Sequence, residues 1–218
     1  RAPKVPGRFG AFSMLQAAFA SQARELPNLV QGLAGTVKAV FGVKPDPDFT
    51  SLAEAPRTIF NVNVTPQRRV ATQATSLERL KAIGEEAGGS INDVVLAASS
   101  GAMRRFLLEI GELPSKSLVT SIPVALPRDS NQAGGNAISF ANVRLGTDVE
   151  DVRERFDVIR RSSTAGRDFL KQMSTKTLMD YTVLISSPQM LTRLPGIGSR
   201  VPPTYNVIIS NVPGPRGK

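Results

Sequence analysis

Over positions 9–41 apolar residues recur three or four apart: Phe12, Leu15, Phe19, Leu26, Leu29, Leu33, Val37 and Val40. That period predicts an amphipathic helical stretch, interrupted near Pro27 and packed against a core. A basic, Pro-rich lead (residues 1–8) precedes it, and the Pro-rich run 43–57 reads as a long connection. The period then changes. In TIFNVNV, Phe60, Val62 and Val64 alternate with Asn61 and Asn63, which predicts a strand, with TPQRR as a turn and RVATQAT as a returning neighbour. Helical spacing resumes at Leu77, Leu80 and Ile83, behind a Thr75-Ser76 cap and before Gly88-Gly89. A second helix runs from Ser90 to near Gly111, with Pro114 beyond it.

SLVTSIPVAL predicts a strand that Pro123 assigns to an edge or a bulge, and NAISFANVRL predicts another after the loop RDSNQAGG. Thr147 and Glu150 form a candidate capping box for a helix bearing Val149, Val152, Phe156 and Ile159 on one face. Two further helices are expected over 171–185 and 188–194, and TYNVIIS, nearly all apolar, reads as a central strand. Together these elements predict an α/β fold with a mixed sheet flanked by helices.

The second helix opens with polar residues ahead of an apolar run. Ser90 is a suitable N-cap, and Asp93, three residues on, completes an S-x-x-D box and sets a negative charge at the positive end of the helix dipole. Capping leaves Asn92 without a task. Its amide either donates to a loop carbonyl or takes part in chemistry.

Composition narrows that chemistry. The chain has no Cys and no His, so thiolate catalysis, disulfides and the commonest base and metal ligand are all missing. Carboxylates are scattered along helix faces, and no metal site is expected. No apolar stretch reaches the roughly 18 residues of a membrane span; the best candidate, 29–43, is broken by Gln31 and Lys38. Nothing like a signal peptide follows Arg1-Ala2-Pro3. A net charge of +9 favours anionic partners, either phosphates or an acidic membrane surface. Nucleic acid is not expected, because aromatic residues make up only 6% and no nucleic-acid-binding signature appears. Singly, the pairs Arg68-Arg69, Arg104-Arg105 and Arg160-Arg161 read as solvated faces.

No GxSxG, Walker or GxGxxG motif occurs. What remains is an ordered set of segments: SINDVVLAASSGAMRRFL, SLVTSIPVALPRD, GGNAISFANVRL and YNVIISNVPGPRG. In that order they resemble the C-terminal half of the bacterial wax ester synthase/diacylglycerol acyltransferase family, from about Pro56 to Lys218. The ND pair and SNVPGP at this separation carry most of the resemblance. It implies the C-terminal lobe of a two-lobed CoA-dependent acyltransferase (chloramphenicol-acetyltransferase-like) fold over residues 56–218, incomplete at its C-terminal end, with 1–55 as the helical segment and Pro-rich linker joining the lobes. It also implies transfer of a fatty acyl group from acyl-CoA to a long-chain alcohol or diacylglycerol, with acyl-CoA as co-substrate and no bound cofactor or metal.

In that family the base is a histidine of an HHxxxDG motif in the N-terminal lobe. This chain has none, so it reads as an internal part of a longer enzyme and is expected to be inactive alone. By resemblance Asn92 is a catalytic amide donor, Asp93 its support, and Ser210 and Asn211 contacts for substrate or CoA. A cytoplasmic enzyme held loosely at the inner membrane or at lipid inclusions is the implied setting. A non-catalytic binding or scaffold protein with the same fold is the alternative.

Overall fold

Two serines open the first two helices of the computed structural model, which describes residues 46–62, 66–125, 138–174, 177–178, 181–182, 185 and 202–212. Helix α1, Leu77–Glu86, starts where the Ser76 hydroxyl accepts from the Arg79 amide. It ends in a Schellman turn: the amides of Gly88 and Gly89 reach back to the carbonyls of Glu85 and Gly84 at 3.2 and 2.7 Å. Gly88 supplies the left-handed backbone that this turn needs, with φ +65°. Gly89 is required for room instead, since a Cβ there would stand 2.6 Å from the Phe156 ring. Ser90 then caps helix α2, Ile91–Glu109, and the expected box with Asp93 closes in both directions.

Strand β1, Val119–Ala125, pairs antiparallel with β2, Ile138–Arg144, and parallel with the short β3, Val207–Ile208, giving the order β2-β1-β3. Helix α3, Val152–Lys171, completes a mixed α/β arrangement. The pleat puts Thr120, Ile122, Ala141 and Val143 on one face of the sheet. Helix α3 lies against that face, so close at Gly166 that an added Cβ would stand 3.2 Å from the Ala141 methyl. Leu96 and Leu107 from α2, Ile159 from α3, and Leu118, Val119, Val143 and Leu145 are 0% exposed and form the core. Burial of each side chain contributes roughly 1.5–3 kcal/mol.

The stretch after residue 45 is more than a connection. Thr50 bonds Ser162 of α3 at 2.7 Å, and the Phe49 and Phe169 rings lie 4.3 Å apart. No described helix is long and apolar enough to cross a membrane.

Several expectations need correction. TIFN is a 3₁₀ turn, Ile59–Asn61, because Asn61 folds back to accept from the Thr58 amide and closes a capping box. Residues 67–76 form no returning strand and are exposed. The third helix is capped by Asp151, not Thr147, whose hydroxyl instead accepts from the Leu118 amide at 2.8 Å. Arg104 is no solvated charge, because it donates to the Thr147 carbonyl at 2.6 Å.

Pro123 lies within the middle strand of the described sheet. The Val119 and Ser121 carbonyls accept from Asn206 and Ile209 on the β3 side. Position 123 faces the same way, past the last pair, Ser121↔Ile208, so its missing N–H breaks no bond to β3. β3 itself is an edge of the described sheet, with Ile208 56% exposed, rather than the central strand that its apolar run suggested. The helical pattern of 9–41, the loop at 128–135 and the helix expected over 188–194 lie outside the described residues.

Thr177, Leu178, Tyr181, Thr182 and Ile185 are helical, and Tyr181 packs edge-on against Phe169. Burial pushes the Tyr181 phenol up to about 12 from 10.0. The native state therefore holds this proton more tightly than the unfolded chain. That stability is complete below pH 10 and is lost as pH rises towards about 12. The stability of the wild type should fall over that window by up to about 2–3 kcal/mol. Urea titrations of Tyr181→Phe should lack this part of the slope; an unchanged slope would place the titration elsewhere.

Candidate functional site

Asp93 is 2% exposed and its carboxylate is fully engaged. One oxygen accepts from the Ser90 amide at 2.8 Å and the Ser90 hydroxyl at 2.7 Å, and the other accepts from the Ser163 hydroxyl of α3 at 2.9 Å. This residue therefore does two jobs: it closes the start of α2 and fastens it to α3. It is placed to hold the helix end rather than to reach a substrate.

Asn92 sits beside it, half-buried, and its amide makes no hydrogen bond among the described residues. The loop carbonyl that would make it a local tie is not found there. Likewise the backbone N–H groups of Ile91 and Asn92 meet no acceptor among the described residues. A side-chain amide and two backbone donors thus share the positive end of the α2 dipole, an arrangement suited to an oxygen that carries or develops negative charge.

Ser210 and Asn211 are exposed and follow Ile209, whose amide makes the last bond to β1, to the Ser121 carbonyl at 3.3 Å. No hydrogen bond or ion pair among the described residues joins them to Asn92 or Asp93.

Sequence reasoning missed Asn206, the polar member of TYNVIIS. Buried at 6% exposure, it accepts from the Val119 amide at 2.9 Å and donates to the Pro56 carbonyl and Asn61 Oδ1 at 2.7 and 2.8 Å. Asn61 in turn donates to the Tyr205 carbonyl at 3.0 Å. An amide imitating the peptide group thus ties the 56–61 turn to β1. A lone Asn in an apolar run was the available signal.

The positive charge is partly spoken for. Beside a cleft of about 360 Å³ between Asp46–Asp48 and α3, Arg161 pairs with Asp48 at 3.5 Å and Arg160 with Asp157 at 3.2 Å. Among the described residues no group of three or more His, Cys, Asp or Glu is placed to hold a metal ion.

Two family models match the chain in order: the wax ester synthase/diacylglycerol acyltransferase catalytic domain at residues 2–95 and the C-terminal domain of the same family at 134–218. A Mycobacterium tuberculosis protein named as a diacylglycerol O-acyltransferase is 40% identical over 165 residues, covering 74% of this chain and 33% of its own length. The O-acyltransferase WSD of Acinetobacter baylyi is 33% identical over 216 residues, covering 99% of this chain and 45% of the relative. Among solved structures, a wax ester synthase/diacylglycerol acyltransferase from Marinobacter aquaeolei VT8 matches with a TM-score of 0.61 and 30% identity, over 86% of this chain and 39% of that one. The chain thus spans less than half the length of these relatives.

Proposed function

Because this chain belongs to the wax ester synthase/diacylglycerol acyltransferase family, we propose that it is one lobe of a two-lobed O-acyltransferase. The enzyme moves a fatty acyl group from acyl-CoA to a long-chain alcohol or diacylglycerol. The observation that carries this reading is the pair of family matches, in order, on a chain that contains no histidine. The base, a histidine of the HHxxxDG motif, then lies in the other lobe.

In the reaction the acceptor hydroxyl gives its proton to that base and attacks the thioester carbonyl. Negative charge moves to the carbonyl oxygen, and the amide of Asn92, unpaired among the described residues, with the α2 N-terminus is suited to receive it. Collapse of the tetrahedral intermediate expels the CoA thiolate, which takes up the proton. Asp93 keeps the donor end of α2 in place. Ser210 and Asn211 contact CoA, and basic residues of this lobe assist at an anionic membrane surface or lipid inclusion.

The test compares the full-length protein with the 218-residue chain, using palmitoyl-CoA with hexadecanol or dipalmitoylglycerol. Full-length protein should release CoA in an acceptor-dependent way. The chain alone should be slower by at least about 10²-fold, the lower end of what a general base contributes. Equal rates would put the base inside this chain. No release by full-length protein with either acceptor would favour a non-catalytic binding protein.

A further inference from the structure

Paired arginines stand four and three residues ahead of a hydroxyl twice in the chain: Arg68-Arg69 before Thr72, and Arg160-Arg161 before Thr164. Both threonines are exposed, yet their settings differ. Thr164 lies inside α3, where Arg160 pairs with Asp157 at 3.2 Å and Arg161 with Asp48 at 3.5 Å. Thr72 lies in the stretch 66–76, which has neither helix nor strand and is exposed at every position, Val70 by 88%. No acidic residue occurs between Glu54 and Glu78, so the two arginines set the charge of this stretch at +2. A single arginine three residues ahead also precedes Thr147 and Ser163. Both are 0% exposed, with their hydroxyls engaged by the Leu118 amide and by Asp93.

A protein kinase has to bring the acceptor hydroxyl in line with the γ-phosphorus of ATP inside a cleft, and it selects substrates by charge pattern. An exposed stretch without regular structure enters such a cleft without unfolding anything. A hydroxyl in the middle of a packed helix enters only after several turns are broken. Thr75 and Ser76 share the exposure of Thr72, but neither has an arginine three residues ahead. Ser76 is also engaged, by Glu78 and by the Arg79 amide.

We propose that Thr72 is a phosphorylation site for a protein kinase whose substrate groove is acidic and reads Arg68 and Arg69. The Thr72 oxygen bonds to the γ-phosphorus of ATP as the bond from that phosphorus to the bridging oxygen breaks. The hydroxyl proton passes to the kinase's catalytic aspartate, and ADP leaves. The phosphate adds about −1.5 to −2 charges at neutral pH, which takes the stretch from +2 to near zero. The site stands independently of the acyl-transfer reading.

The test uses the full-length protein with magnesium ATP and the catalytic domain of calmodulin-dependent protein kinase II, a kinase directed by an arginine three residues ahead of the hydroxyl. Mass spectrometry maps the phosphate. It should appear at Thr72 and not at Thr164, and Thr72→Val should remove it. Arg69→Ala should slow incorporation at Thr72 by at least about tenfold, the value of one hydrogen bond to a charged group. Neither substitution touches packed structure, so both variants should melt within about one degree of the wild type. Incorporation mainly at Thr164, Thr75 or Ser76, or a rate at Thr72 indifferent to Arg69→Ala, would overturn the proposal. Absence of phosphate from Thr72 would overturn it as well; a peptide spanning residues 66–76, run in parallel, would show whether the sequence or the folded surface refuses the kinase.

Discussion

Asn92→Ala in the full-length enzyme is expected to lower turnover about 10²-fold or more while leaving the melting temperature within about one degree. The stability half follows from contacts: the Asn92 amide has no partner among the described residues to lose, and alanine is the better helix former. The turnover half follows from placement. A donor at the positive end of a helix, with no acceptor among the described residues, costs little to reorganise when the thioester oxygen becomes charged. Ser90→Ala should do the opposite, losing about 1 kcal/mol of stability with the cap and little turnover per folded molecule. Melting temperature and steady-state turnover, measured side by side for the two variants, separate the roles. An Asn92→Ala enzyme that melts several degrees lower and keeps most of its turnover would make the residue structural.

Asn206→Ala should be the most destabilising single change among the buried polar residues, by about 3 kcal/mol. It strips a partner from the buried Val119 amide, and also removes the donor that serves Pro56 and Asn61. For a domain of this size that is a fall of about 6–12 °C in melting temperature. Asn206→Asp keeps the acceptor for Val119 but points a carboxylate at two acceptors, so it should not rescue. In a double-mutant cycle with Asn61→Ala the losses should be less than additive, because the two amides share one bond. Strict additivity, or a loss under about 1 kcal/mol for Asn206→Ala, would show that the tie does not hold the 56–61 turn.

Helices were easy to read from sequence because their start signals are local. Ser90 and Asp93 lie three apart, and each finds its partner within one turn. The strands were harder. A proline in an apolar run says nothing of which side its missing N–H faces, and that depends on β3, more than eighty residues later by the Thr120↔Val207 pairing. Thr147 offers the chemistry of a cap, but its hydroxyl is claimed from across 29 residues by Leu118. The same limit applies at the site. The link from Asp93 to Ser90 was visible, whereas the link to Ser163 spans 70 residues and exists only once α2 and α3 have packed. Asn61 looked like the polar side of a strand because its true partner, Asn206, is 145 positions away.

The two glycines between α1 and α2 differ in what they would let a drifting sequence do. Position 88 constrains handedness and not size: nothing lies within 4 Å of an added Cβ, so asparagine, which tolerates a left-handed backbone, is an admissible replacement. Position 89 constrains size: its Cβ would stand 2.6 Å from the tip of the Phe156 ring, so a larger residue there requires that ring to shift or to be replaced by a smaller side chain. Gly88 can therefore change alone, while a change at Gly89 is coupled to a residue on another helix. Among homologous chains the first glycine should wander independently, and the second should covary with the aromatic residue that leans on it.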